Sequence, residues 1–376
     1  MSAPIYLTVA TRSYLPRAHA LAASLQANEP GRRLRCYLVE EAPHADDDPD
    51  GALDLLPLSA LQLPDERQLC FQYNTKELAT AVRPFALRHA LREGAGNPVV
   101  YLDCDTQLLA PLTPALLDIL TGHEIAITPH LLSPTANITP QEREILRAGI
   151  YNSGVIALRP GKDSTAFLDW WCNRLAHWCI EDPMGGILHD QRWLDLAVGL
   201  FGGIGIIRHP GINVGPWNMH ERQLTPGSQG WQVRLPGDQA PAPLLLLHFS
   251  GLTADRLSTH LPPEQEAQAS LAPYRQLAAA YREQLARAPR PSTNRPSFSH
   301  FTDGQPITPA MREVVRLGRV QPADPFAAPD LIRAALPASP DELFWPRITY
   351  IFNWACSMRP VVTELQRRGI LTIQRH

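Results

Sequence analysis

From Ile5 to about residue 260, short apolar runs alternate with stretches whose apolar residues recur every three or four positions. Ile5 to Ala10 and Leu34 to Val39 read as buried strands, and Glu124 to Thr128, Val155 to Leu158 and Leu244 to Phe249 continue the series. Between the first two lies a helical pattern with Ala18, Leu21, Ala22 and Leu25 on one face. Asn74 to Glu93 predicts helix broken near Pro84, whose ring either starts a second helix or kinks the first. Phe167, Trp171, Leu175 and Trp178 fall on one wide apolar helical face, expected in the core. Strands that alternate with helices predict an α/β fold, a mostly parallel central sheet covered by helices on both faces. Ligands of such sheets gather outside the carboxyl ends of the strands.

After about residue 262 the texture changes. Glu264 to Arg287 is a polar, Ala-rich helix, and Ala288 to Pro309 a Pro/Ser/Thr linker. The expected division is a main domain over 1–262, a helix and linker over 263–309, and a helical C-terminal appendage over 310–376. That tail holds Phe344, Trp345, Tyr350, Phe352 and Trp354, and from Arg347 onward five arginines against one glutamate. Its plainer reading is a helical appendage packed on the rest. The sharper one is an acceptor-docking or membrane-surface element, although Pro360 interrupts any long amphipathic helix.

Composition narrows the field. A chain of 376 residues with 44% hydrophobic content buries a large core, and a net charge of −3 gives no basic field for nucleic acid. The 37 prolines are about twice the usual ~5%, as expected of a loop-rich α/β protein. Six cysteines without a C-x-x-C pair read as small buried hydrophobes in a reducing cytoplasm. No signal peptide is expected from the N-terminal pattern, and the run Leu244 to Leu247 is far too short to cross a bilayer.

The chemistry concentrates at Asp103-Cys104-Asp105, which follows the strand-like run Pro98 to Leu102. In an extended chain the two carboxylates face one side and Cys104 the other. Two carboxylates at a strand's carboxyl end make a hard-oxygen site for a divalent ion, which in turn can hold a diphosphate. The loop Ser133 to Pro140 reads as a mobile lid over a substrate, and the acidic run Asp46 to Asp50 as a solvated surface turn.

An ordered series surrounds this motif: Tyr6 to Thr11 then Tyr14, Glu77 to Phe85, Tyr101 to Asp105, Tyr151 to Val155, Asp190-Gln191, and His248-Phe249-Ser250-Gly251. In that order the chain resembles bacterial glycosyltransferases of the GT-A fold, similar to retaining glycosyltransferase family 8 and its relatives, over about residues 4 to 260. The resemblance implies that Thr8, Ala10 and Thr11 line a nucleoside pocket and that Tyr14 stacks on the base. It implies that Asp103, Asp105 and His248 bind Mn2+, with Mg2+ the alternative. Gly251 would let the backbone approach the phosphates, and Arg83 would hold the diphosphate or orient a metal carboxylate. Asn152, Asp190 and Gln191 would contact the donor sugar, with Gln191 near the anomeric face opposite the leaving group.

The implied activity is metal-dependent transfer of a hexosyl group from a UDP-sugar to an acceptor hydroxyl. It proceeds with retention by same-face substitution, in surface glycan synthesis. The implied acceptor is a glycan, a lipid-linked glycan or a protein. The protein would be cytoplasmic, with peripheral contact at the inner membrane face through its C-terminal region. One departure stands out: the family's Lys-Pro-Trp run after the His-x-x-Gly pair is replaced by Leu252-Thr253-Ala254-Asp255-Arg256, with Arg256 a substitute at a different spacing. Asn213, Trp217 and His130 are further pocket candidates. Two rival readings are a non-catalytic sugar-nucleotide-binding protein and a nucleotidyltransferase. Intact Asp103, Asp105 and His248 speak against the first, and the glycine-free Thr11-Arg12-Ser13-Tyr14 against the second.

Overall fold

The computed structural model describes residues 3–134, 140–182, 185–261, 263–291 and 297–337. The chain divides into two compact units, Met1–Ser299 and His300–His376. In the first unit the strands are β1 (Ile5–Ala10), β2 (Leu34–Leu38), β3 (Leu53–Pro57), β4 (Val99–Leu102), β5 (Thr106–Leu108), β6 (Ile125–Pro129), β7 (Tyr151–Leu158), a hairpin of β8 (Glu181–Asp182) and β9 (Ile187–Leu188), and β10 (Ile204–Ile206). A seven-stranded sheet runs in the order β10-β6-β7-β4-β1-β2-β3. Its pairs are parallel except where β7 meets β4 and β6. The fold is thus mixed α/β with a mostly parallel central sheet, as the alternating pattern predicts.

Burial on both faces explains the continuous apolar runs of the central strands: all four residues of β4 are buried. On one face, Tyr6 and Ala10 pack against Leu15, Ala18, Leu21, Ala22 and Leu25 of helix Leu15–Asn28, the stripe expected from the 3.6-residue period. Pro84 starts a new helix: Asn74 caps Thr75–Ala81 through a capping box with Glu77, and Arg83–Glu93 begins with Pro84 in its first turn. Phe167, Trp171 and Leu175 are buried in helix Lys162–Leu175, whereas Trp178 lies beyond its end and is 43% exposed, against the expectation of one four-residue core face.

A second sheet is formed by β11 (Gln223–Gly227), β12 (Gly230–Arg234) and β13 (Ala242–Pro243), and β14 (Leu246–His248) pairs antiparallel with β5. Helix Ala272–Arg287 braces β14. Phe249 stacks on Tyr281 at 4.1 Å between ring centroids, and the Tyr274 hydroxyl donates to the His248 carbonyl at 3.2 Å. Burying an aromatic ring of this size contributes roughly 1.5–3 kcal/mol, so this helix helps to fix the end of β14.

The described cysteines, Cys36, Cys70, Cys104, Cys172 and Cys179, are buried and unbridged. The acidic run departs from expectation. Asp47 is 1% exposed and clamps the Arg12 guanidinium, and Asp48 accepts from the Ala52 and Leu53 amides, so two carboxylates of that run turn inward while Asp50 stays exposed. The second unit, described as far as residue 337, holds helices Pro309–Arg316 and Pro329–Ala334 around buried Met311, Val314, Phe326 and Ile332. The aromatic, arginine-rich stretch from Phe344 lies outside the described residues, as do positions 135–139 of the expected lid.

Candidate functional site

Strand β4 delivers Asp103 to its carboxyl end, where the chain turns instead of staying extended. The Thr106 amide and hydroxyl both donate to the Asp103 carbonyl, at 3.0 and 2.7 Å. The two carboxylates therefore converge through a turn, while Cys104 faces inward at 8% exposure. The β5–β14 pairing then sets His248 opposite Thr106. His248 Nε2 lies 3.2 Å from Asp105 Oδ1 and 3.7 Å from Asp103 Oδ2, and one ligand atom from each of the three residues falls within 4.8 Å of the others.

A supporting layer holds these side chains. Arg83 lies 2.6 Å from Asp103 Oδ1 and 2.9 Å from Asp190 Oδ2, and also donates to the Ser153 hydroxyl at 2.8 Å. With Tyr101 donating to Asp103 Oδ1 at 2.7 Å, this carboxylate is oriented from two directions. Arg83 is only 14% exposed and committed to two carboxylates, so of its two expected roles the geometry matches orientation of Asp103. Burial pushes the Asp190 carboxyl up against the pull of Arg83. Asp190 precedes the helix Trp193–Leu200 and its cap residue Arg192.

Behind His248 runs a chain of hydrogen bonds with one consistent polarity. His248 Nδ1–H donates to Asn213 Oδ1 at 2.9 Å, and Asn213 Nδ2 donates to Asn152 Oδ1 at 3.0 Å. Asn152 Nδ2 donates to Gln191 Oε1 at 3.2 Å and to His130 Nε2 at 3.3 Å, and Gln191 Nε2 ends the chain on the Ala148 carbonyl at 3.0 Å. The order follows from chemistry, because only the amide oxygen of Asn213 can accept from an imidazole N–H. It leaves Nε2 of His248 aimed at the carboxylates. Burial pushes the His130 pKa down to about 4, so His130 stays neutral and serves as an acceptor.

Asn213 reaches its place because Val214 bridges β14, its amide donating to the Leu246 carbonyl at 3.1 Å. Its own φ is +58°, a left-handed conformation that asparagine tolerates better than most residues. Replacing Asn213 by glycine keeps that backbone and removes the bond to His248. The expected result is a metal affinity about 10- to 100-fold lower and a stability loss of about 1–3 kcal/mol from the buried partners left unpaired, read by manganese titration and thermal melting. Unchanged affinity would show that His248 needs no such partner.

Two hard oxygens and one imidazole fit a divalent ion such as Mn2+ or Mg2+. The cradle is tight: a Cβ at Gly154 would lie 2.5 Å from His248 Cε1 and 2.9 Å from Asp103 Oδ2. Without metal, burial opposes charge on His248, but Asp105 and Asp103 outweigh it and raise its pKa. Against the burial that opposes its charge, His248 and then Arg17 hold the Asp105 carboxyl below its usual range. A metal must displace the His248 proton. Affinity is therefore expected to fall as pH drops below the raised pKa of His248, by up to about tenfold per unit. Manganese titrations at pH 8 and pH 6 check this, and equal affinities would contradict it.

The remaining candidates spread around this centre. Thr8 is fully buried in mid-β1 with no partner for its hydroxyl among the described residues, and Ala10 is equally enclosed. Thr11 is 7% exposed and its hydroxyl is paired with that of Ser13 at 3.1 Å, whereas Tyr14 is 44% exposed. Gly251 takes φ +72° beyond β14, which glycine adopts without strain. Trp217 stands edge-on to both His248 and His130, at 5.1 and 5.7 Å. Arg256 does not face the site as a free cation: it is tied to Glu266 at 2.6 Å and to the Ser258 and Leu261 carbonyls. Arg17, which the pattern reading passed over, lies close enough to Asp105 to act on its charge.

No family model matches the chain. A curated relative, "Uncharacterized protein YfnF" of Bacillus subtilis (strain 168), is 26% identical over 254 residues, 65% of this chain and 80% of its own length. Among solved structures, the galactosyltransferase LgtC in complex with donor and acceptor sugar analogs aligns at 15% identity with a TM-score of 0.44, covering 75% of this chain and 95% of that one. The apo structure of the WbbM bifunctional glycosyltransferase aligns at 13% identity with a TM-score of 0.37, covering 58% and 41%.

Proposed function

We propose that the chain is a metal-dependent glycosyltransferase of the GT-A type, moving a hexosyl group from a nucleoside-diphosphate sugar, UDP foremost, to an acceptor hydroxyl. The observation that supports it best is the Asp103–Asp105–His248 trio at the carboxyl end of a central strand, joined by hydrogen bonds through Asn213 and Asn152 to Gln191. A bound Mn2+ or Mg2+ would neutralise the charge that develops on the departing diphosphate. Arg83 and Tyr101 keep Asp103 aimed, Asn213 keeps His248 in the tautomer that leaves Nε2 for the ion, and Tyr14 offers an exposed ring to the base.

Gln191 is an amide held at both ends, by Asn152 and by the Ala148 carbonyl, and so serves as an oriented dipole beside the sugar. Its carboxylate neighbour Asp190 is 2% exposed and bound to Arg83, which makes it a poor nucleophile. Attack by the acceptor on the face the leaving group departs from, with retention, is the course this arrangement favours. The proposed acceptor is a surface glycan, a lipid-linked glycan or a protein. The described residues include no helix long and apolar enough to cross a membrane.

The test is calorimetric titration of UDP and GDP, with and without Mn2+, on the wild type and on Asp105→Ala. We expect manganese-dependent binding of one nucleotide, weakened in the variant by more than the about 10- to 100-fold that losing an outer partner of a metal ligand costs. A wild type that binds neither nucleotide under either condition sinks the transferase reading.

A further inference from the structure

We infer that Arg17 supplies the positive charge that grips the donor's diphosphate beside the Asp103–Asp105 turn, an inference that rests on the proposed function. Arg17 lies in the first turn of helix Leu15–Asn28 and is half-buried. Its guanidinium carbon sits 4.6 Å from the centroid of the Tyr14 ring, and one terminal nitrogen donates to the Leu252 carbonyl at 3.0 Å. It therefore spans from the loop after β1 to the loop after β14, the two segments on which Tyr14 and Gly251 are carried. The Leu252 amide donates to the Phe249 carbonyl at 3.0 Å and the Phe249 amide to the Asp105 carbonyl at 2.8 Å, so the carbonyl that Arg17 reaches belongs to the loop hydrogen-bonded to the turn itself.

Other arginines of this neighbourhood are engaged. Arg83 holds Asp103 and Asp190, Arg256 is tied to Glu266, and Arg282 donates to the Thr253 and Arg256 carbonyls. Arg17 has no carboxylate within ion-pair distance among the described residues, and only its bond to Leu252 is made there. A guanidinium fixed on one side by an aromatic ring and a carbonyl keeps its other N–H groups for a planar, two-point contact with phosphate oxygens. This assigns to the start of the first helix the cation that the segment after Gly251 does not supply, because Arg256 is spent on Glu266.

The experiment compares wild type, Arg17→Gln and Arg17→Lys by titration with UDP and with uridine in the presence of Mn2+, with thermal melting to verify folding. Loss of a charged hydrogen-bonding partner predicts UDP affinity about tenfold or more lower in Arg17→Gln, uridine affinity unchanged, and partial recovery in Arg17→Lys. Equal UDP affinity in wild type and Arg17→Gln overturns the inference while leaving the transferase reading in place. UDP and uridine affinities that fall together overturn it as well, since Arg17 then only shapes the pocket through Tyr14 and Leu252. A folded wild type that binds neither UDP nor GDP overturns the transferase reading and the role of Arg17 with it.

Discussion

Replacing Gly154 by alanine is expected to abolish the proposed metal binding in a protein that still folds. Gly154 sits in β7 beside β4, and its carbonyl accepts from the Asp103 amide at 2.9 Å. Its backbone is outside the left-handed region, so an alanine meets no conformational penalty there. The obstacle is space: an added Cβ would lie 2.5 Å from His248 Cε1, 2.8 Å from Asn152 Oδ1 and 2.9 Å from Asp103 Oδ2. None of these can step aside cheaply. His248 is held by Asn213 and by the edge of Trp217, Asn152 is bonded to Asn213, Gln191 and His130, and Asp103 is bonded to Arg83 and Tyr101.

Overpacking of this kind costs roughly 1–3 kcal/mol of stability, which a domain with a large core survives. A metal site, by contrast, depends on ligand positions to within a few tenths of an ångström. The measurement is manganese affinity by titration together with the thermal midpoint. A folded Gly154→Ala protein that binds Mn2+ as the wild type does would show that the ion, if bound, sits elsewhere.

How much of this was legible in advance depended on the range of the interactions. Strands β1, β2, β4, β6, β7 and β14 are apolar runs and stood out in the sequence. β3, with the pattern Leu-Asp-Leu-Leu-Pro, and the three-residue strands β5 and β10 exist because a neighbour pairs with them, and carry little signal of their own. β5 matters most, since its register with β14 sets His248 beside Asp105. The strand-end pattern singles out Asp103 and Asp105, an ordered resemblance adds His248, Arg83, Asn152 and Gln191, and the structure brings all six into one connected cluster.

The sequence makes Asn213 a pocket candidate; in the structure it is 1% exposed and stands behind His248. Its partner Asn152 lies 61 positions away, a pairing that no local pattern carries. Arg17 escaped notice because an arginine in the first turn of an amphipathic helix reads as solvated. What distinguishes it is the carbonyl of Leu252, 235 positions further along the chain.

The largest stability loss is expected from Asp47, the carboxylate that its acidic surroundings disguised as a surface residue. Arg12 Nε donates to Asp47 Oδ1 at 2.8 Å and a terminal nitrogen reaches Oδ2 at 3.2 Å, with side-chain exposures of 4% and 0%. Asp47 Oδ2 also accepts from the His44 amide at 2.7 Å, and its carbonyl is bonded to His19 Nε2 at 3.0 Å. Asp47→Ala strips Arg12 of its two-point partner and leaves Glu40 Oε2, at 3.7 Å, to balance a buried guanidinium. Breaking a buried pair from one side costs about 3–5 kcal/mol, because the stranded charge stays desolvated.

Urea unfolding of wild type, Asp47→Ala and the double variant Arg12→Met/Asp47→Leu measures this, with the double expected to lose less than the single. Equal losses would mean that packing of the Asp46–Asp50 loop, and not the stranded charge, sets the cost. The effect extends to the proposed site, because Arg12 lies between Thr11 and Tyr14 and its amide is tied to Glu40 at 3.0 Å. The ion pair thus anchors the turn that presents Tyr14, and below full unfolding Asp47→Ala is expected to weaken nucleotide binding while the Asp103–Asp105–His248 cluster keeps its metal affinity.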